Sequence, residues 1–234
     1  MLNTVTTILI VTGLMLAAPA FAVDGQVLIN QSTVMAAGGF PYKITQPGSY
    51  KLSGNLLVPA NVDGIDILTN NVTIDLNGFT INGPVTCTGA GSGISCVSPA
   101  VSTLGVGASG VNDVTIRNGS VVGFQTGISS QRTTSADGSN ILVEEIHASG
   151  NSQVGIWATG AVVRRNTASL NAFVGIIALN STVTENVANS NRVFGLNIEY
   201  GVYGGNTFDG NGVMPVSNTL AVSQNNNGCN GVAC

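Results

Sequence analysis

The sequence predicts an all-β solenoid, with about 20 residues per coil and short strands stacked into parallel sheets. Three observations predict it. The first is self-similarity: "VRRNTASLNAFVGIIALN" (163–180) is followed at once by "VTENVANSNRVFGLNIEY" (183–200), with an Asn fourth, an Asn ninth, and Gly-Ile or Gly-Leu at positions thirteen and fourteen. The second is local alternation of apolar and polar residues, rich in β-branched types, in "GIDI", "NVTIDL", "DVTIRN" and "GLNIE". The third is composition. Only 8% of the 234 residues are charged and Gly occurs 31 times, whereas an ordinary soluble domain is roughly 25% charged.

Aligned at twenty residues, the chain falls into columns. Gly155-Ile156, Gly175-Ile176 and Gly195-Leu196 form one. Asn166, Asn186 and Asn206 form a second, and Asn151, Asn171, Asn191 and Asn211 a third. Val143, Val163, Val183 and Tyr203 make an apolar column, and Ala148, Ala168, Ala188 and Phe208 another. Inward positions need only be apolar and of suitable size. Stacked Asn residues need stricter identity, because at about 4.8 Å spacing each amide can bond to the next. Gly and Asn are also expected at bends, since both tolerate positive φ.

The pattern N-x-x-x-x-N-x-x-x-G-[IL] at one coil per twenty-odd residues resembles the right-handed parallel β-helix proteins of the pectate-lyase-like superfamily. The segments "ITQPGSYKLSGNLLV", "GIDILTNNVTIDLNGFTING" and "VTIRNGSVVGFQTGI" resemble secreted bacterial members. The resemblance spans roughly residues 40–212. It implies a single-stranded right-handed parallel β-helix with an N-terminal cap, and polysaccharide chemistry as the family activity.

The elements follow in order. Residues 1–22 read as an export signal, with the apolar core "ILIVTGLMLAAP" before Ala20-Phe21-Ala22, although no Lys or Arg precedes it. The mature protein is then secreted or periplasmic and needs no membrane span, because no later apolar run approaches the ~20 residues required. Residues 23–62 read as a lead-in segment and cap, covering what would otherwise be a bare strand edge. Residues 63–212 form the β-helix, interrupted by Gly/Ser/Thr-rich 83–110 and by an insertion at 129–140. Residues 213–234 form an Asn/Gly-rich tail or cap. Four cysteines leave three connectivities open; nearness in sequence favours Cys87 with Cys96 and Cys229 with Cys234.

Candidates for chemistry are few. The D-D, G-H-G and R-x-K elements of the hydrolases of this fold are missing, as is the epimerase D-P-H-D. The eleven acids are dispersed. Asp66, Asp75 and Arg117 fall at outward positions and could form a carboxylate–arginine face serving as acid and base, or holding calcium if the chain were a lyase. No other metal or cofactor is expected. Glu145, Arg165 and Glu185 share a column, as do Glu144 and Arg164, and read as ion pairs between coils. The single His, His147, falls in an outward column with Thr167. Trp157, between inward Ile156 and Ala158, should point outward above Ile177, with Leu179 alongside, giving an apolar strip suited to a polysaccharide or a protein. The net charge of −4 argues against nucleic acid. Two functions remain open: an exported, non-catalytic scaffold presenting a sheet face, or a polysaccharide lyase or hydrolase with a divergent site. The missing motifs favour the scaffold.

Overall fold

The computed structural model describes residues 25–97, 103–131 and 140–234. The expected signal (1–22) and positions 132–139 of the second insertion lie outside them. Among the described residues two parallel sheets dominate. Sheet A runs from Gln26–Ile29 through Val72–Asp75, Val114–Val122, Ile141–Ser149 and Ala161–Arg164 to Val222–Ser223; sheet B runs from Tyr42–Ile44 through Ile65–Ile67, Leu104–Gly107 and Val154–Thr159 to Met214–Thr219. The twenty-residue steps of the apolar strand positions are register pairs: Val163 faces Val183, Ile156 faces Ile176, and Ile176 faces Leu196. Their inward side chains form one continuous core.

One coil shows how the chain closes. Strand Ala161–Arg164 ends at Arg165 (φ 53°), strand Thr167–Ser169 ends at Leu170 (φ 60°), and strand Val174–Leu179 ends at Asn180 (φ 49°). Left-handed residues thus mark three corners per coil. The next coil repeats them at Glu185, Ser190 and Tyr200. The bends are therefore not confined to Gly and Asn. At two corners the bend falls on the residue just before a ladder Asn. A non-glycine residue there costs roughly 1–2 kcal/mol, so something must hold the corner in place.

The asparagines do. Asn151, Asn171 and Asn191 are fully buried, and Asn166, Asn186 and Asn206 are 1% exposed. Asn166 donates from Nδ2 to Asn186 Oδ1 (3.0 Å) and from its backbone N–H to the same oxygen (2.9 Å). Asn186 Nδ2 donates back to the Val163 carbonyl (2.9 Å). The triplet recurs from Asn186 to Asn206 and from Asn171 to Asn191. Three bonds therefore join successive coils at each ladder. They satisfy backbone groups that would otherwise be buried without partners. The ladder also explains the Gly-Ile column. A Cβ on Gly155 would lie 2.7 Å from Asn171 Nδ2, and one on Gly175 would lie 2.6 Å from Asn191 Nδ2.

Parallel pairing continues on both sides of 63–212. Gln26–Ile29 pairs with Gly48–Leu52, and the short helix Gln31–Ala36, with its Asn30/Thr33 capping box, lies beside them. Met214–Thr219 pairs with Phe194–Glu199, and Asn206 bonds to Asn227, 21 residues on (3.0 Å). An antiparallel turn of Gly228–Cys229 with Val232–Ala233, closed by Cys229–Cys234, ends the chain. The other disulfide, Cys87–Cys96, joins facing residues of the hairpin Thr86–Thr88/Ser95–Val97.

Replacing Asn186 with Leu removes the acceptor of both the Asn166 N–H and the Asn166 Nδ2, and leaves the Val163 carbonyl without its amide. At ~1–3 kcal/mol per orphaned group, the variant should lose at least about 3 kcal/mol in denaturant unfolding. A loss below about 1 kcal/mol would show that the ladder amides are readily replaced.

Candidate functional site

The outward column at the centre of sheet B begins at Lys43 and Asp66, crosses Gly107 and Ser129, and reaches Trp157, Ile177 and Asn197. Trp157 lies between fully buried Ile156 and Ala158, and its own side chain is half-buried. Ile177 is its register partner on the next coil. Leu179, two residues on, pairs with Thr159 and Glu199. Both are half-buried. Trp157, Ile177 and Leu179 thus form a contiguous outward patch on two adjacent strands.

The disulfide hairpin sets one boundary of this face. It runs along the solenoid across later coils. Gly91 N–H donates to the Ser190 carbonyl (3.0 Å), and Ser92 sits so close to Gly212 that a Cβ there would lie 2.6 Å from the Ser92 nitrogen. Val85 and Ile94 of this arm, with Val154 and Val174 of sheet B, are buried yet belong to no part of the continuous core. The arm thus follows the corner that leads into sheet B at Ser190 and Gly212, and within the Trp157 column Gly107 and Ser129 are buried while Trp157, Ile177 and Asn197 are partly exposed. Spacing alone gives no hint of the route this loop takes.

The three candidates for chemistry do not share a face. Asp66 lies on Ile65–Ile67 in sheet B, whereas Asp75 and Arg117 pair across adjacent strands of sheet A. The corner at Asn71 (φ 58°) separates them. Asp75 is occupied structurally: Oδ2 meets Arg117 Nη2 at 3.4 Å, and Oδ1 accepts from Asn77 N–H (2.7 Å) and Asn118 Nδ2 (3.0 Å). Asp75 and Arg117 belong to an alternating column, Lys51, Asp75, Arg117, Glu144, Arg164, running up sheet A. Calcium fits poorly here, since the main carboxylate is spent on Arg117. Among the described residues no group of three His, Cys, Asp or Glu converges to hold a metal. Burial raises the Asp66 carboxyl above its ordinary range; Asp63 adds to the shift and Lys43 opposes it. Asp63 belongs to a lone N-x-D, Asn61-Val62-Asp63, but its Oδ1 accepts the Leu104 N–H (2.6 Å), a loop-fixing role. His147 is exposed on sheet A, between Ser120 and Thr167 in register.

No protein family matches the chain by sequence, and no curated protein does. Solved structures do. The mannuronan C-5 epimerase AlgE6 A-module of Azotobacter vinelandii aligns over 85% of this chain and 62% of its own, at 15% identity and a TM-score of 0.51. The fold is a right-handed parallel β-helix. The Dettilon tailspike protein gp208 (12% identity, TM-score 0.46) and the enzymatically active domain of bacteriophage CBA120 tailspike protein 2 (15%, 0.44) also align over 85% of this chain. The chain spans 57% of the first tailspike and 39% of the second, so it covers less than two thirds of each of the three.

Asp66 gives a pH test. A carboxyl raised by folding holds its proton more tightly in the folded state. Its contribution to stability is therefore unfavourable at neutral pH and improves as pH falls through its folded value. Asp66→Asn should raise the melting temperature at pH 7, and the difference from wild type should vanish as pH falls through the carboxylate range. A variant less stable than wild type at pH 7 would show instead that the carboxylate is net favourable.

Proposed function

We propose that this chain is an exported β-helix scaffold that binds carbohydrate on the outer face of sheet B, through Trp157, Ile177 and Leu179. The observation that supports this most is the outward Trp on a regular parallel sheet, beside the disulfide-braced arm and continuous with an apolar neighbour on the next coil. A partly exposed aromatic can stack on a sugar ring, while polar Asn197 and Glu199 beside it, also partly exposed, supply hydrogen-bonding groups. Export is supported by the two disulfides, which persist in oxidising compartments. Among the described residues no helix is long and apolar enough to cross a membrane. The likeness to the mannuronan epimerase module agrees with a glycan-facing role without assigning one.

A second reading, a polysaccharide lyase or hydrolase with a divergent site, draws on one observation. Asp66 stands in the same outward column as Trp157 with its proton held above the ordinary range. Incubation with a polysaccharide panel, with and without calcium, following unsaturated-product absorbance and reducing ends, separates the readings; turnover would favour the enzyme.

Trp157 is the only Trp, so intrinsic fluorescence reports on this face alone. Wild type should show a saturable fluorescence change and retarded migration in gels containing at least one polysaccharide of the panel. Trp157→Ala should lose the retardation while losing far less stability than the ~3–5 kcal/mol of a buried aromatic. Unchanged fluorescence and migration with every polysaccharide would overturn the proposal.

A further inference from the structure

Sheet A carries a separate groove, built by a difference in chain length between two coils. In Val114–Val122 the chain passes the corner between Arg117 and Ser120 with two residues, Asn118 and Gly119. In the preceding coil the matching passage, from Asp75 to Thr80, takes four. The surplus folds into a turn at Asn77 (φ 52°) and Gly78 (φ 75°), closed by Phe79 N–H to the Leu76 carbonyl (2.8 Å). Such extra residues bend a strand and re-aim what surrounds it. The turn walls one side of a groove of about 470 Å³; Glu145 and Arg165 wall the other, with Ser120 and His147 between.

The electrostatics of the groove narrow its ligand. Arg165 Nη2 meets Glu144 Oε2 at 2.8 Å and its Nε meets Glu145 Oε1 at 3.3 Å. Glu144 also takes Arg164 Nε at 2.9 Å. Two guanidinium groups and two carboxylates cancel, and the protein itself satisfies Arg165. A phosphate or carboxylate ligand would have to break those pairs. The polar lining offers an apolar ligand little. A hydroxyl, an imidazole and a half-exposed carboxylate whose charge Arg165 offsets stand side by side as donors and acceptors, the complement of neighbouring hydroxyls on a neutral sugar ring.

We propose that this groove is a second binding site, specific for a neutral saccharide, in which Glu145, His147 and Ser120 hydrogen-bond to ring hydroxyls. Arg165 is a positioning residue that holds the Glu145 carboxylate. The site is on a different sheet from Trp157 and does not depend on it.

The test uses the single His and the single Trp as independent reporters. Full-length protein without a His tag is titrated with maltohexaose, cellohexaose and mannohexaose, and with hexagalacturonate as the charged control, while the His147 imidazole resonances are followed by NMR. At least one neutral hexasaccharide should shift them saturably, and hexagalacturonate should not. Glu145→Gln should weaken that Kd by roughly tenfold or more, as expected for a hydrogen bond to a charged group, with unchanged melting. Trp157→Ala should leave the response intact. Three results would each overturn the proposal: no shift with any neutral hexasaccharide, a response only to hexagalacturonate, or a response untouched by Glu145→Gln. Loss of the response in Trp157→Ala would overturn the independence of the two sites.

Discussion

The hydrogen bond from one buried asparagine amide to the next is the interaction on which the rest of this structure depends. No coil can satisfy its own corners. The Asn166 backbone N–H finds its acceptor on the following coil, and the Val163 carbonyl finds its donor there too. At about 1 kcal/mol net per bond, three bonds at each ladder outweigh the strain of a left-handed Arg165 or Leu170. The same amides forbid a Cβ at Gly155 and Gly175. The ladder thus dictates backbone shape at the corners and leaves outward side chains free to vary.

That division decides what could be read from the sequence. Columns tied to the ladder were legible, because hydrogen bonding and close approach fix identity: Asn at 166, 186 and 206, and Gly at 155, 175 and 195. Alternation also placed Trp157 on the outside, since buried neighbours on both sides leave it one direction. The left-handed corners were hidden, because neighbouring coils impose them whatever the residue; Glu145, Tyr200 and Leu220 share this conformation with Gly and Asn. Asn227 escaped the column because its coil is one residue longer.

The candidate sites were harder to read because they depend on where coils differ. Asp66 and Asp75 sit in strings of the same alternating kind, yet the corner at Asn71 puts them on separate sheets. Asp75 and Arg117 are partners 42 residues apart, since the disulfide arm intervenes. The groove beside His147 exists because one passage is two residues longer than its neighbour. The arm itself crosses to Ser190 and Gly212 by contacts that no periodic pattern records. A regular solenoid supplies a rigid surface, and its irregularities shape the places where a ligand can sit.

Native-state hydrogen exchange tests the central role of the ladders most directly. The backbone amides of Ile146, Asn166, Asn186, Asn151 and Asn171 each donate to an asparagine side chain of the following coil. If those bonds hold the coils together, these corner amides should exchange only through global unfolding, with the same protection as the core strands and the same response to denaturant. Exchange at loop-like rates while the strand amides stay protected would contradict the account, because the corners would then open without disturbing the stack.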